Sequence, residues 1–112
     1  MKKTIRLRCW IDLDDTKYFG PGRAELLQGI REEGSISKAA KRMGMSYKKA
    51  WKIVDELNSM REKPLVVTRK GGEKGGQSEV TEEGMLIVNE YLKFMEDLNQ
   101  VVIKNTAFLD LF

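Results

Sequence analysis

Hydrophobic and polar residues alternate near the start of the chain, over residues 5–13 (IRLRCWIDL). The apolar side of this stretch consists of Ile5, Leu7, Cys9, Ile11 and Leu13. Because a strand turns successive side chains to opposite faces, this period of two predicts a half-buried β-strand. The stretch that follows, DDTKYFGPG, has residue types that are typical of a turn.

A helical spacing of apolar residues replaces the alternation after Pro21, which suits the first turn of a helix. Three successive helices are predicted: one that ends near Gly34, a short one that ends near Met43, and one over residues 47–60. The inner stripe of the first helix is Ala24, Leu27 and Ile30. The inner stripe of the third is Ala50, Val54 and Leu57, widened by either Trp51 or Ile53.

The second and third helices have the features of a helix-turn-helix. Either Ser35 or Ser37 can cap the second helix, and Ser46 can cap the third. The small side chain of Ala40 permits the two helices to cross closely, and Gly44 tolerates the positive φ of a tight turn. The alternative is an ordinary amphipathic helical hairpin whose charged residues form a solvated face.

A β-hairpin and a long helix are predicted for the rest of the chain. Pro64 stops the third helix, and strands are predicted at residues 65–69 and 78–81 around the glycine-rich stretch KGGEKGGQ. Thr81 can cap a last helix that continues without proline to about Asn105. The predicted fold class is therefore α+β, mostly α: a winged helix-turn-helix with an N-terminal strand and a long C-terminal dimerisation helix.

We expect residues 1–81 to form the winged helix-turn-helix domain, with the helix-turn-helix at about 36–60 and the wing at about 65–81. Residues 82–112 are then a dimerisation helix followed by an apolar tail. The predicted seam for a partner helix has spacings of three and four and consists of Val88, Tyr91, Met95, Leu98 and Val102. The alternative is that this helix folds back onto its own body.

Charge is distributed unevenly along the chain. Residues 38–52 contain six cations and no carboxylate, whereas residues 79–112 contain seven carboxylates and two cations. A solvated face usually mixes the two signs, but a surface that faces phosphate excludes carboxylates because they are repelled. Double-stranded DNA is therefore the predicted partner.

The predicted DNA-binding residues form three groups. Those at the start of the recognition helix are Ser46, Tyr47, Lys48, Lys49 and Lys52. Those that grip phosphate are Ser37, Lys38, Lys41 and Arg42. Those of the wing are Arg69, Lys70, Gly71, Gly72, Lys74, Gly75 and Gly76. An unbound surface loop is the alternative for the wing.

Other classes of function are disfavoured by the composition. There is no histidine and a single cysteine, Cys9, so the commonest general base and an internal disulfide framework are both missing. The methionines could suggest a soft-metal sensor, but at helical spacing they are usually core residues. We therefore expect no enzyme, no metal site and no cofactor. Without a signal peptide or a membrane-spanning run, a cytoplasmic location is expected.

Residues 34–58 (GSISKAAKRMGMSYKKAWKIVDELN), the PLV that follows, and the wing sequence GGEKGGQSEVTEEG together resemble a known family. They are similar to the N-terminal DNA-binding domain of the molybdate-dependent regulators (ModE), itself similar to the LysR-type winged helix-turn-helix. The most specific parts are MSYKKAW and the double-glycine wing. The wing departs from the family pattern at Glu73, Gln77 and Ser78.

This resemblance implies a homodimeric transcriptional regulator that binds a palindromic operator, with Ser46, Tyr47, Lys48 and Lys49 at the start of the recognition helix. Full-length members of the family continue into oxyanion-binding domains, whereas this sequence stops at Phe112. We therefore expect no response to molybdate. The alternative function is that of a modulator that forms heterodimers with a full-length regulator.

Overall fold

The N-terminal region forms a short β-hairpin rather than one long strand. The computed structural model describes residues 1–69 and 77–112, and in it β1 is Ile11–Leu13 and β2 is Thr16–Phe19, paired antiparallel. Asp14 and Asp15 make the turn, with φ values of 47° and 65°. Positive φ at both central residues is the requirement of a type I′ hairpin turn, which aspartate tolerates.

The prediction of a strand over residues 5–10 and of a turn over residues 16–19 was therefore wrong. Residues 5–10 have no strand assignment and lie instead beside the last helix, where the Tyr91 hydroxyl donates a hydrogen bond to the Cys9 carbonyl at 2.8 Å. Within this stretch Ile5 and Cys9 are half-buried without a partner strand, whereas Leu7 is exposed, so the alternation alone did not require a sheet.

Four α-helices occur within the described residues, close to their predicted positions. They are α1 (Pro21–Glu33), α2 (Ile36–Met43), α3 (Tyr47–Ser59) and α4 (Glu82–Lys104). A 3₁₀ helix (Thr106–Leu111) follows α4. Between α3 and α4, β3 (Val66–Arg69) pairs antiparallel with β4 (Gln77–Val80). The winged helix-turn-helix predicted from the sequence is thus confirmed, and no helix of the described segments is long and apolar enough to cross a membrane.

The hydrophobic core lies between α1, the helix-turn-helix and the first half of α4. Its largest fully buried side chains are Phe19, Leu26, Leu27, Ile30, Leu57, Leu65, Val66 and Val88. Helices α1 and α2 approach closely at Gly29. A Cβ atom built on this glycine would lie 3.3 Å from the Cβ of Ala39. Small residues at this crossing therefore bring α2 into the core along its Ala39–Ala40 side.

Polar contacts fix the far end of α3. The buried Tyr18 hydroxyl donates a hydrogen bond to the Leu57 carbonyl at 2.6 Å, and burial raises the pKa of this phenol. Arg23 of α1 donates to the Tyr18 carbonyl at 3.0 Å and forms an ion pair of 2.6 Å with Glu56. The β1–β2 hairpin, α1 and α3 are therefore joined by a single set of contacts.

The β3–β4 hairpin is attached to the body at its base. The Asn58 amide accepts hydrogen bonds from the Leu65 and Val66 N–H groups at 2.9 and 3.2 Å, and donates one to the Val66 carbonyl at 2.9 Å. On the other strand, the Ser78 N–H donates to the Gly34 carbonyl at 2.9 Å. These contacts set the direction in which the hairpin leaves the body.

Gly84, in the first turn of α4, lies where a side chain cannot fit. A Cβ atom built there would be 2.5 Å from the Leu65 carbonyl oxygen and 2.6 Å from Cγ1 of Val80. We expect Gly84→Ala to lower the free energy of unfolding by about 1–3 kcal/mol, since backbone and core must shift to admit the methyl group. Urea denaturation measures this change.

Gly22, in the first turn of α1, is the matched control. A Cβ atom built there has no neighbour within 4 Å. Gly22→Ala should leave stability unchanged or raise it by up to about 1 kcal/mol, because alanine restricts the unfolded chain more than glycine does. Equal effects of the two substitutions would contradict the close approach of α4 to Leu65 and Val80.

Candidate nucleic-acid interface

The turn between α2 and α3 closes in a Schellman arrangement. Gly44 has a φ of 71°, and its N–H donates to the Lys41 carbonyl at 3.1 Å. The Met45 N–H donates to the Ala40 carbonyl at 3.0 Å. This pair of bonds satisfies the last carbonyls of α2 and reverses the chain within two residues. The left-handed conformation favours glycine, as the sequence predicted for this position.

Burial of one stripe of α3 determines which face of this helix is exposed to solvent. Ala50, Val54 and Leu57 are buried, as predicted. Of the two candidates for widening this stripe, Ile53 packs against the core, whereas the Trp51 side chain lies outside it and is 49% exposed. The first two turns of α3 therefore present an outward face that carries both aromatic and cationic side chains.

All of the predicted recognition-helix and phosphate-gripping residues are exposed. On α3 and its cap these are Ser46, Tyr47, Lys48, Lys49 and Lys52. On α2 they are Ser37, Lys38, Lys41 and Arg42. The structure thus brings both groups onto adjoining helices at the surface, on the two sides of the Gly44 turn.

The serines at the two helix starts have different roles. Ser35 caps α2 by accepting a hydrogen bond from the Lys38 N–H at 3.2 Å, and Ser46 caps α3 by accepting one from the Lys49 N–H at 3.1 Å. Ser37 lies inside the first turn of α2 and leaves the capping to Ser35. Of the two capping candidates for α2, Ser35 is therefore the one used.

The lysines of this surface are not neutralised by the described part of the chain. Lys38, Lys41, Lys48, Lys49 and Lys52 form no salt bridge with any carboxylate of residues 1–69 and 77–112. Arg42 differs, because its guanidinium pairs with Glu32 and, at 3.6 Å, with Glu33 at the end of α1. The hydrogen bond and the charge of Glu32 raise the pKa of Arg42. In the DNA-free protein, Arg42 already has an anionic partner.

The helix ends add to the positive potential of this surface. Neither α2 nor α3 has an acidic residue in its first turn, whereas α4 has Glu82 and Glu83 there. Acidic side chains normally stabilise a helix N-terminus by interacting with its partial positive charge. Their absence from α2 and α3 leaves that charge available to an outside anion.

The predicted wing is described only in part. Arg69 is exposed at the end of β3, with its guanidinium 3.6 Å from the Glu79 carboxylate on the paired strand. The other predicted wing residues lie outside the described residues: Lys70, Gly71, Gly72, Lys74, Gly75 and Gly76.

The residues of the predicted dimer seam on α4 differ in their burial. Val88 is fully buried and Tyr91 is 5% exposed, both within the core of the chain itself, and Met95 packs against that core. These residues are therefore largely covered without a partner, which corrects this part of the predicted seam. Leu98 and Val102 are only half-buried, and Phe94 and Val101 beside them are exposed.

Trp51 was not among the residues predicted from the sequence to lie on the DNA-binding face. It borders an open hollow whose other lining residues are Tyr47, Lys48, Lys52 and Asp55. Its spacing of four from Tyr47 and three from Lys48 places it on their side of the helix. This spacing could have placed Trp51 on the DNA-binding face from the sequence. The residue was missed because tryptophan is often buried in a core.

Comparison with known proteins identifies the same region. Residues 22–85 match the model of the bacterial regulatory helix-turn-helix proteins of the lysR family. The chain is 40% identical over 84 residues to "Molybdenum transport protein ModE" of Azotobacter vinelandii, covering 75% of this chain and 31% of that protein. It is 37% identical over 81 residues to "DNA-binding transcriptional dual regulator ModE" of Escherichia coli K12, covering 72% of this chain and 31% of that protein.

A third relative is "Molybdenum-pterin-binding protein MopA" of Rhodobacter capsulatus, 44% identical over 69 residues, covering 62% of this chain and 26% of that protein. The chain thus spans less than a third of the length of the curated relatives it matches. The family match contains the whole helix-turn-helix and both strands of the wing hairpin. The chain belongs to the lysR family of bacterial regulatory helix-turn-helix proteins, in which it is a ModE-like DNA-binding domain.

Proposed function

We propose that this protein is a sequence-specific transcriptional regulator that binds a palindromic operator as a homodimer. The N-terminal half of α3 enters the major groove, α2 grips phosphate, and the wing contacts the backbone or the minor groove. The observation that carries the proposal is the set of exposed lysines on the adjoining helices α2 and α3, which lack carboxylate partners among the described residues.

Electrostatics favours a polyanion as the occupant of this surface. Five lysines without a carboxylate partner among residues 1–69 and 77–112, and two helix N-termini without acidic residues, point to a ligand with repeated negative charge. Duplex DNA supplies such charge at the spacing of its phosphates, and released counterions drive the association. The Arg42 pair with Glu32 is exposed, so exchange of its partner for a phosphate costs little desolvation.

Dimerisation is supported by the unequal burial of α4. Its buried residues, Gly84, Val88 and Tyr91, all lie in the first half of the helix. The second half keeps apolar side chains at the surface: Phe94 is 51% exposed, Val101 57% and Ile103 56%. A second copy of α4 along this half removes that apolar surface from water. The revised interface is therefore Phe94, Leu98, Val101 and Val102.

The operator and the binding mode can be tested together. Selection of bound duplexes from a random pool should yield two inverted half-sites whose centres are one helical turn, or a multiple of it, apart. Insertion of about five base pairs between them rotates one half-site to the opposite face of the duplex and should abolish cooperative binding. If the purified protein binds no duplex alone, the modulator hypothesis is favoured instead.

The first prediction from this proposal concerns the lysines of α3. Lys48→Ala and Lys49→Ala should weaken operator binding, and each lost phosphate contact should reduce the slope of log affinity against log salt by about one. Fluorescence anisotropy at several salt concentrations measures both quantities. Lys93→Ala, at an exposed position on α4, is the control and should change neither. Similar losses at Lys49 and Lys93 would contradict the assignment of this face.

The second prediction concerns the dimer. Phe94→Glu and Leu98→Glu should produce monomers in sedimentation velocity at tens of micromolar, because a carboxylate would be buried against an apolar partner. Circular dichroism should show that the fold persists. Met95→Glu is a poorer test since Met95 packs against the chain's own core. Lys93→Glu serves as the control and should stay dimeric. A wild-type protein that sediments as a monomer under these conditions would refute the interface.

The third prediction concerns oxyanions. Two of the relatives are named for molybdenum, but the match covers at most 31% of either protein. We propose that operator binding by these 112 residues is independent of molybdate, because the exposed lysines serve the DNA phosphates. Titration with micromolar molybdate should leave operator affinity unchanged, as should sulfate at equal ionic strength. A saturable tenfold shift, about 1.4 kcal/mol of coupling, would contradict this.

A further inference from the structure

Trp51 is a large apolar side chain on a surface that is otherwise polar and cationic. It is 49% exposed, and Tyr47, one turn before it, is 55% exposed. Aromatic residues normally contribute large areas to a core or to an interface. The burial of Ala50, Val54 and Leu57 already attaches α3 to the body. The exposed part of the indole therefore has no role in the folding of this helix.

The second tryptophan of the chain shows the contrast. Trp10 is also partly exposed, but its ring lies against Gly20, and the Lys17 ammonium is 5.1 Å from the ring centroid. Trp51 has neither a ring-stacking nor a cation–π partner among the described residues. Contacts within the chain explain the position of Trp10 and leave the outer face of Trp51 open.

The position of Trp51 on α3 places it among the groove-facing residues. It lies in the second turn from the Ser46 cap, on the same side as Lys48, and helix-turn-helix proteins read bases with the N-terminal part of this helix. Its open hollow is also lined by Asp55, one turn further along. Phosphate repels a carboxylate, and this disfavours the sugar–phosphate backbone as the neighbour of this end of the hollow.

Base edges in the major groove offer one distinctive apolar group, the C5-methyl of thymine. The indole face is apolar and uncharged, and its area suits contact with a methyl group rather than with phosphate. We propose that Trp51 is a specificity-determining residue that reads the C5-methyl group of a thymine in each half-site. This inference rests on the proposed function, and it adds the chemical group that the recognition helix selects.

The test compares thymine with deoxyuridine, which lacks only the methyl group, at each position of the selected operator. Wild-type protein should bind about fourfold more weakly when one particular thymine of a half-site is replaced, the effect expected for one methyl group removed from water. Trp51→Ala should bind thymine and deoxyuridine duplexes equally at that position. Trp51→Phe should retain the preference, because it keeps an apolar ring without the indole N–H donor.

Leu86→Ala is the matched control, since Leu86 is also an exposed apolar residue (54%) but lies on α4. It should keep the full preference for thymine. Thermal unfolding of each variant checks that the α3 substitutions leave the fold intact.

Three results would overturn the inference. Equal binding of wild-type protein to every deoxyuridine duplex would exclude methyl readout while leaving the proposed function in place. A Trp51→Ala variant that loses affinity but keeps its preference for thymine would place the indole on the sugar–phosphate backbone. Failure of the wild-type protein to bind any duplex would overturn the proposed function along with the inference.

Discussion

Burial of one stripe of α3 sets which of its side chains reach the surface of the protein. Once Ala50, Val54 and Leu57 are in the core, the helical period turns Lys48, Trp51 and Lys52 outward. The rotation of α3 about its axis is thus fixed by packing, and no contact among the lysines is needed to hold them. A rigid helix with a defined outer face is what groove recognition requires.

The same helix also orients the hairpin that follows it. Tyr18 and Asn58 bind the C-terminal end of α3 to β2 and β3, so the wing leaves the body at a fixed point. The Ser78 bond to the Gly34 carbonyl joins the second strand to the turn before α2. Helix α3 and the base of the β3–β4 hairpin therefore belong to one connected unit.

Helix α4 has two halves with different surroundings. Its first half completes the core through Val88 and Tyr91, and its acidic first turn contrasts with those of α2 and α3. Its second half carries exposed apolar residues beyond the body of the domain. The acid-rich C-terminal part of the sequence and the cation-rich helix-turn-helix thus occupy separate elements, which keeps negative charge off the proposed DNA face.

The helices, the turn and the caps were predictable from the residues alone, because these features follow from local chemistry. Gly44 takes a left-handed conformation, and Ser46 and Thr81 accept hydrogen bonds at their helix starts, whatever lies further away. The inner stripes of α1 and α3 were likewise predictable from spacing. Three features became known only from the folded chain. Residues 5–10 lie beside α4, Val88 and Tyr91 belong to the core, and Trp51 rather than Ile53 faces outward. Each of these features depends on which apolar surface is nearest in space. Trp51 and Ile53 both lie at the edge of the buried stripe of α3, so the helical period alone cannot choose between them.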